Sequence, residues 1–150
     1  MPTQKGRLRA AVIAPSLPET GETMPALPIT SLVAALTALG LVALSVFVSL
    51  RRIKVQVQTG HGGDDALRRR ARAQGNFTEY APMLILLLAL NEAGGAMPGL
   101  LWTMAGMFGL GRLLHVSGML SNRLPLVSSG TVLNHASLIT GAVGLLRAAF

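Results

Sequence analysis

Between Arg68 and Leu90 the chain reads RRRARAQGNFTEYAPMLILLLAL, a basic stretch that runs into an uninterrupted apolar one. On a helix of 3.6 residues per turn, Arg72, Asn76 and Glu79 fall within roughly 60° of one another, with Tyr80 and Met83 beside them. Gln74 points to nearly the opposite face. An arginine can grip a carboxylate through a bidentate fork. A carboxylate such as Glu79 can hold an ammonium group. A ligand that carries both charges therefore suits this stripe. The bland alternative is that Arg72 snorkels at a membrane end while Asn76 and Glu79 bond to neighbouring helices. Further along, Phe108, Arg112, His115 and Met119 share one face of another segment. There Arg112 is expected to neutralise Glu79 structurally, and a lone His115 can equally serve as a helix–helix hydrogen bond. Ionisable residues inside a membrane helix are costly and point to a site.

The elements that hold these residues follow from composition. The chain has 150 residues, of which 51% are hydrophobic and 13% charged. Soluble domains carry about 25% charged residues. No charged side chain occurs in residues 23–50, 93–111 or 124–146. A helix needs about 20 residues to cross a hydrocarbon core of about 30 Å. The pattern predicts an all-α integral membrane bundle of four helices, near residues 29–50, from Asp64 or Asp65 to about Leu90, 98–120 and 125–148. Asp64 and Asp65 are good N-cap residues, and Pro98 suits a first turn. Residues 51–65 form a basic loop broken by Gly60, Gly62 and Gly63, and Asn91–Gly95 a tight turn. Pro82 is expected to kink the second helix just past the polar stripe. Ala105 with Gly109, and Ser137 with Gly141, have the spacing that favours close helix contact.

Residues 1–26 show no period and read as a disordered tail, with Met24 as an alternative start; residues 27–150 form the domain. The net charge is +7, but it clusters at Arg51, Arg52, Lys54, Arg68, Arg69, Arg70 and Arg72. Beside membrane spans such a cluster sets topology rather than binding nucleic acid. The positive-inside rule puts the first loop in the cytoplasm and both termini outside. The chain contains no cysteine, so any thiol chemistry must come from a substrate. His61, Asp64 and Asp65 in a Gly-rich loop are solvated or capping residues rather than a metal site. Asn134 and His135 read as interhelical hydrogen-bonding groups.

The string RARAQGNFTEYAP, with GRLLHVSG on the next helix, resembles the MAPEG family, membrane-associated proteins in eicosanoid and glutathione metabolism. The likeness is to its uncharacterised bacterial branch, whose setting is the inner membrane, and it covers the chain from about Met24 onward. It implies a homotrimer with glutathione held between subunits near the cytoplasmic face. Carried over residue by residue, Arg72, Asn76, Glu79 and Tyr80 would line the site from one subunit, with His115 nearby. Gln74 would reach the site of the neighbour. Active transferases of the family carry tyrosines where this chain has His115 and Met119, and an activating arginine after the third helix. Arg123 is the candidate for that catalytic role, at a spacing a few residues short.

The resemblance implies a glutathione transferase or peroxidase, with glutathione as co-substrate and lipophilic electrophiles drawn from the membrane lipids. The alternative is a non-catalytic lipid- or glutathione-binding protein that regulates a partner. Turnover with a chromogenic electrophile separates the two.

Overall fold

The computed structural model describes residues 26–150, and the expectations for the tail and for Met24 lie outside them. Four helices follow one another with no strand among the described residues: α1 Pro28–Val55, α2 Asp65–Ala93, α3 Pro98–Ser121 and α4 Leu124–Ala149. They run up and down. The α1–α2 loop and the α3–α4 link lie at one end. The start of α1 and the α2–α3 turn lie at the other, where Glu92 meets Ile29 and Thr30. By length and composition α1 and α4 are apolar enough to cross a membrane. The polar residues are concentrated on α2 and α3.

Two helices are longer than the sequence pattern suggests. α1 continues through Arg51, Arg52 and Lys54, because straight-chain cations are good helix formers and suit the negative end of the helix dipole. It stops at Gln56, whose φ of 54° is left-handed. α2 continues through Asn91, Glu92 and Ala93, where a turn was expected. The reason is tertiary. Glu92 Oε1 accepts from the Ile29 N–H at 2.9 Å and Oε2 from the Thr30 N–H at 2.7 Å. α1 has no side-chain cap of its own, so Glu92 meets two of the donors that every helix start leaves open. Asn91 Nδ2 donates to the Leu87 carbonyl at 2.8 Å and to the Gly141 carbonyl at 3.0 Å, tying α2 to α4.

At the loop end Asp64 is the N-cap of α2 and accepts from the Leu67 N–H at 2.6 Å. Its carboxylate also takes a two-pronged bond from Arg51, at 3.1 and 2.7 Å. Arg51 beside it, with the Leu67 N–H, holds the Asp64 carboxyl down at about 2. The loop between them turns at Gly60, Gly62 and Gly63, all at positive φ.

The core centres on Phe77, Leu84, Leu88, Leu101, Met104 and Phe108, with Val33 of α1 against it. α3 and α4 make the closest pair. A Cβ on Gly130 would lie 2.6 Å from both the Gly111 carbonyl oxygen and the His115 nitrogen, so the backbones touch there. Ser137 Oγ, fully buried, donates to the Met104 carbonyl at 2.7 Å, so Ser137 and Gly141 do lie at a helix contact. Gly109 does not: a Cβ there would meet nothing within 4 Å. Its face looks into a gap between α1 and α3, so the expected contact through Ala105 and Gly109 is not made on the glycine side. α2 packs against all three others, whereas α3 only grazes α1.

Gly130→Ala is expected to lower stability by about 1–3 kcal/mol, the usual cost of overpacking. Gly109→Ala should be neutral or gain up to about 1 kcal/mol from helix propensity. Thermal unfolding in detergent measures both. The depressed Asp64 pKa means that its anchoring contribution is complete above the ordinary carboxylate value, about 3.9. The contribution is lost as pH falls from there towards about 2. Amide exchange at Leu67 should show that step in the wild type and lack it in Asp64→Asn.

Candidate functional site

The second helix places Arg72, Asn76 and Glu79 on one side, as their spacing requires, and Gln74 on the other. Arg72, Gly75, Asn76 and Glu79 of α2 face His115 and Met119 of α3 and Val127 of α4 across a cavity of about 320 Å³. Arg72 and Glu79 are exposed at its mouth, whereas His115 is buried, only 4% exposed. The His115 Nδ1 is buried without a partner. A second cleft, about 190 Å³, adjoins the first through Met119 and Val127. It is lined by Arg68 and Arg69 of α2 and by Asn122 and Arg123 of the α3–α4 link. The two form one groove along α2. Cations crowd its link end, and one carboxylate, Glu79, lies farther along.

Two of these cations were not among the residues singled out. Arg68 and Arg69 read from the sequence as topology signals, because their use depends on where the α3–α4 link comes to lie. Arg68 is partly engaged, donating to Asp65 at 2.8 Å. Among the described residues no ion pair within 4 Å involves Arg69, Arg72, Arg123 or Glu79.

Arg112 does not pair with Glu79, which corrects the expectation. It is 5% exposed and sits behind the cavity wall. Its Nε donates to Asn134 Oδ1 at 3.1 Å, and its Nη1 to the Asn76 carbonyl at 3.1 Å and to Asn76 Oδ1 at 2.9 Å. The guanidinium carbon lies 5.3 Å from the Tyr80 ring centre and 5.4 Å from that of Phe108. Neutral oxygens and aromatic faces therefore take the place of a carboxylate. The physical reason is register: Asn76 and Tyr80 present their groups to Arg112, while Glu79, between them in sequence, turns to the cavity. Asn134 serves the interhelical role expected of it, although its Nδ2 has no partner.

Tyr80 is not brought to the cavity. Its hydroxyl is 3.1 Å from His135 Nε2 on α4, with the rings edge to face at 5.4 Å. Gln74 is held within its own chain, donating to Ser45 Oγ of α1 at 2.7 Å. Arg72, Asn76, Glu79 and His115 thus share one cavity, Arg123 borders its extension, and Tyr80, Gln74 and Arg112 lie outside it. Among the described residues no cluster of His, Cys, Asp and Glu could hold a metal ion.

The arrangement can bind a molecule with an anionic group at one end, towards Arg68 and Arg69, and an adjacent anion and cation at the other, towards Arg72 and Glu79. Charge-assisted hydrogen bonds are the strong ones, and Arg and Glu supply them in opposite senses.

Comparison with known proteins places the sequence in a family. Residues 30–147 match the MAPEG family. The inner membrane protein YecN of Escherichia coli K12 is 33% identical over 90 residues, which are 60% of this chain and 69% of YecN. The YecN sequence of Escherichia coli O6:H1 gives the same identity and coverage. No solved structure matches. The match spans all four helices, and the chain is an integral inner-membrane protein belonging to the MAPEG family.

Proposed function

We propose that the chain binds glutathione in the α2 groove and uses it as a transferase or peroxidase on lipophilic electrophiles from the bilayer. One observation carries the reading: the order of charge along the groove, from Arg68, Arg69 and Arg123 through Arg72 to Glu79. Glutathione has two carboxylates and one ammonium. The ammonium and one carboxylate share a carbon at the glutamyl end, which suits Glu79 and Arg72; the second carboxylate, at the glycyl end, suits Arg68 and Arg69, and Asn76 and His115 offer neutral hydrogen bonds. Membership of a family of glutathione and eicosanoid metabolism supports the choice.

The chemical task is to ionise a thiol whose ordinary pKa is about 8.5, because the thiolate is the nucleophile. Arg123 borders the groove, and a guanidinium near sulfur favours the charged form. Sulfur then forms its bond to the electrophile, whose leaving group or added proton balances the charge. The bilayer delivers the apolar partner, and glutathione enters past the basic loop from the cytoplasm. This orientation follows the arginine count, with the C-terminus outside.

The assembly belonging to this reading is a homotrimer with sites shared between subunits. Gln74 would serve a neighbour only by exchanging its bond to Ser45.

A second reading, a binding protein without turnover, is favoured by one feature. The groove lining contains no phenol, since the only tyrosine, Tyr80, is paired with His135. His115 and Met119 occupy the positions where transferases carry tyrosines.

Glutathione titration of the purified protein tests the site. Arg72→Ala and Glu79→Ala should each weaken binding by about 10- to 100-fold, the worth of one hydrogen bond to a charged group at about 1.5–3 kcal/mol. Unchanged affinity in both variants removes glutathione from this groove. For Arg123, affinity and chemistry should separate. Arg123→Ala is expected to keep glutathione affinity while losing the ultraviolet absorbance of bound thiolate and most turnover with a chromogenic electrophile. A wild type that binds glutathione but shows neither signal belongs to the second reading.

A further inference from the structure

α1 and α3 barely touch, and Phe77 of α2 lies between them. The gap is a groove of two lobes. The lobe near the α1–α2 loop holds about 310 Å³ and is lined by Phe47, Arg70, Val116 and Leu120. The other holds about 440 Å³ and is lined by Leu32, Leu36, Trp102, Gly106 and Gly109. The lobes meet at Gly40, Phe77, Arg112 and Leu113. Cβ atoms on Gly106 and Gly109 would meet nothing within 4 Å, so no side chain of the described residues fills this space. From residue 32 to residue 47, α1 rises about 22 Å. One leaflet of a bilayer supplies about 15 Å, half of its core.

The groove is apolar in shape but not neutral. Its lining includes two arginines and no carboxylate. Arg70 closes the loop end. It donates from Nη1 to the Phe47 carbonyl at 3.0 Å, and its guanidinium carbon lies 5.5 Å from the Phe47 ring centre. No ion pair within 4 Å involves Arg70 among the described residues. Arg112 forms part of the floor, and its Nη2 is buried with no partner. The occupant must therefore be long, thin, apolar and anionic at the Arg70 end. A membrane lipid presents its phosphate at the edge of the bilayer and its hydrocarbon inward, which is the order of groups along this groove.

We infer that the α1–α3 groove binds one acyl chain of an anionic phospholipid, with the phosphate at Arg70 and the hydrocarbon passing Gly40 and Gly109. The site is separate from the α2 groove and lies on the other side of the Arg112–Asn76 contact. Nothing in the inference requires glutathione binding.

The test offers the purified wild type in mild detergent equal amounts of phosphatidylglycerol and phosphatidylcholine with identical chains. Native mass spectrometry then counts the lipid retained. The wild type should keep phosphatidylglycerol over phosphatidylcholine by about tenfold, because both carry the phosphate but the choline cation of the second offsets its charge and is repelled by Arg70. Arg70→Gln should bring that ratio close to one, and Arg70→Lys should keep most of it. Gly109→Leu should shed both lipids, because its side chain enters the groove, with the mass of the protein assembly unchanged. Equal retention by the wild type overturns the inference, and so does a ratio that survives Arg70→Gln. Full retention in Gly109→Leu also overturns it. A changed assembly mass in that variant would assign the groove to a contact between copies of the chain instead.

Discussion

A guanidinium placed inside an apolar bundle must find partners for its N–H groups, and meeting that demand at Arg112 sets the arrangement of three helices. Asn134 comes from α4, Asn76 from α2, and Arg112 itself from α3. Tyr80 and Phe108 cover its faces. Asn134 can reach only because Gly111 and Gly130 let α3 and α4 touch; a Cβ on Gly111 would sit 2.7 Å from Asn134 Oδ1. Partners of this kind satisfy hydrogen bonds without cancelling charge. That leaves Glu79 unengaged on the neighbouring face of α2, free to meet a cation from outside. It also leaves a net positive charge between two cavities, one polar and one apolar.

The distribution of polarity among the helices follows the same logic. α2 carries most of the polar groups and packs against the other three. α1 and α4 carry the hydrocarbon-like sequences. Asn91, Arg112, His115 and Asn134 are thereby kept where protein rather than lipid surrounds them, as membrane bundles generally require. At the loop end Arg68, Arg72 and Arg123 escape this constraint and are exposed.

Much of this was legible in the sequence, for identifiable reasons. Three charge-free runs and the apolar stretch up to Leu90 gave the number of helices, and the capping chemistry of Asp64 and Asp65 marked the start of α2. Helical spacing alone put Arg72, Asn76 and Glu79 together and turned Gln74 away. The string from Arg70 to Pro82 carried the family likeness. What could not be read depended on contacts between distant segments. Glu92 extends α2 because it caps α1, a relation that spans 62 residues. Arg112 was assigned to the nearest formal opposite charge, whereas the fold offered it amides and rings. Arg68, Arg69 and Arg123 become one cleft only when the α3–α4 link folds over the start of α2. Gly109 has the spacing of a packing residue, yet the helix that would pack on it stands off.

The cap on α1 has a bearing on the order in which the protein is made. α1 leaves the ribosome before α2, and its opening turn has no side-chain cap of its own. The carboxylate that completes it arrives only after the whole of α2 has been synthesised. Until then, two backbone N–H groups at the mouth of the first span must be met by water or lipid headgroups. Glu92 then joins the opening of α1 to the close of α2, so that the start of one helix is completed by one of the last residues of the next.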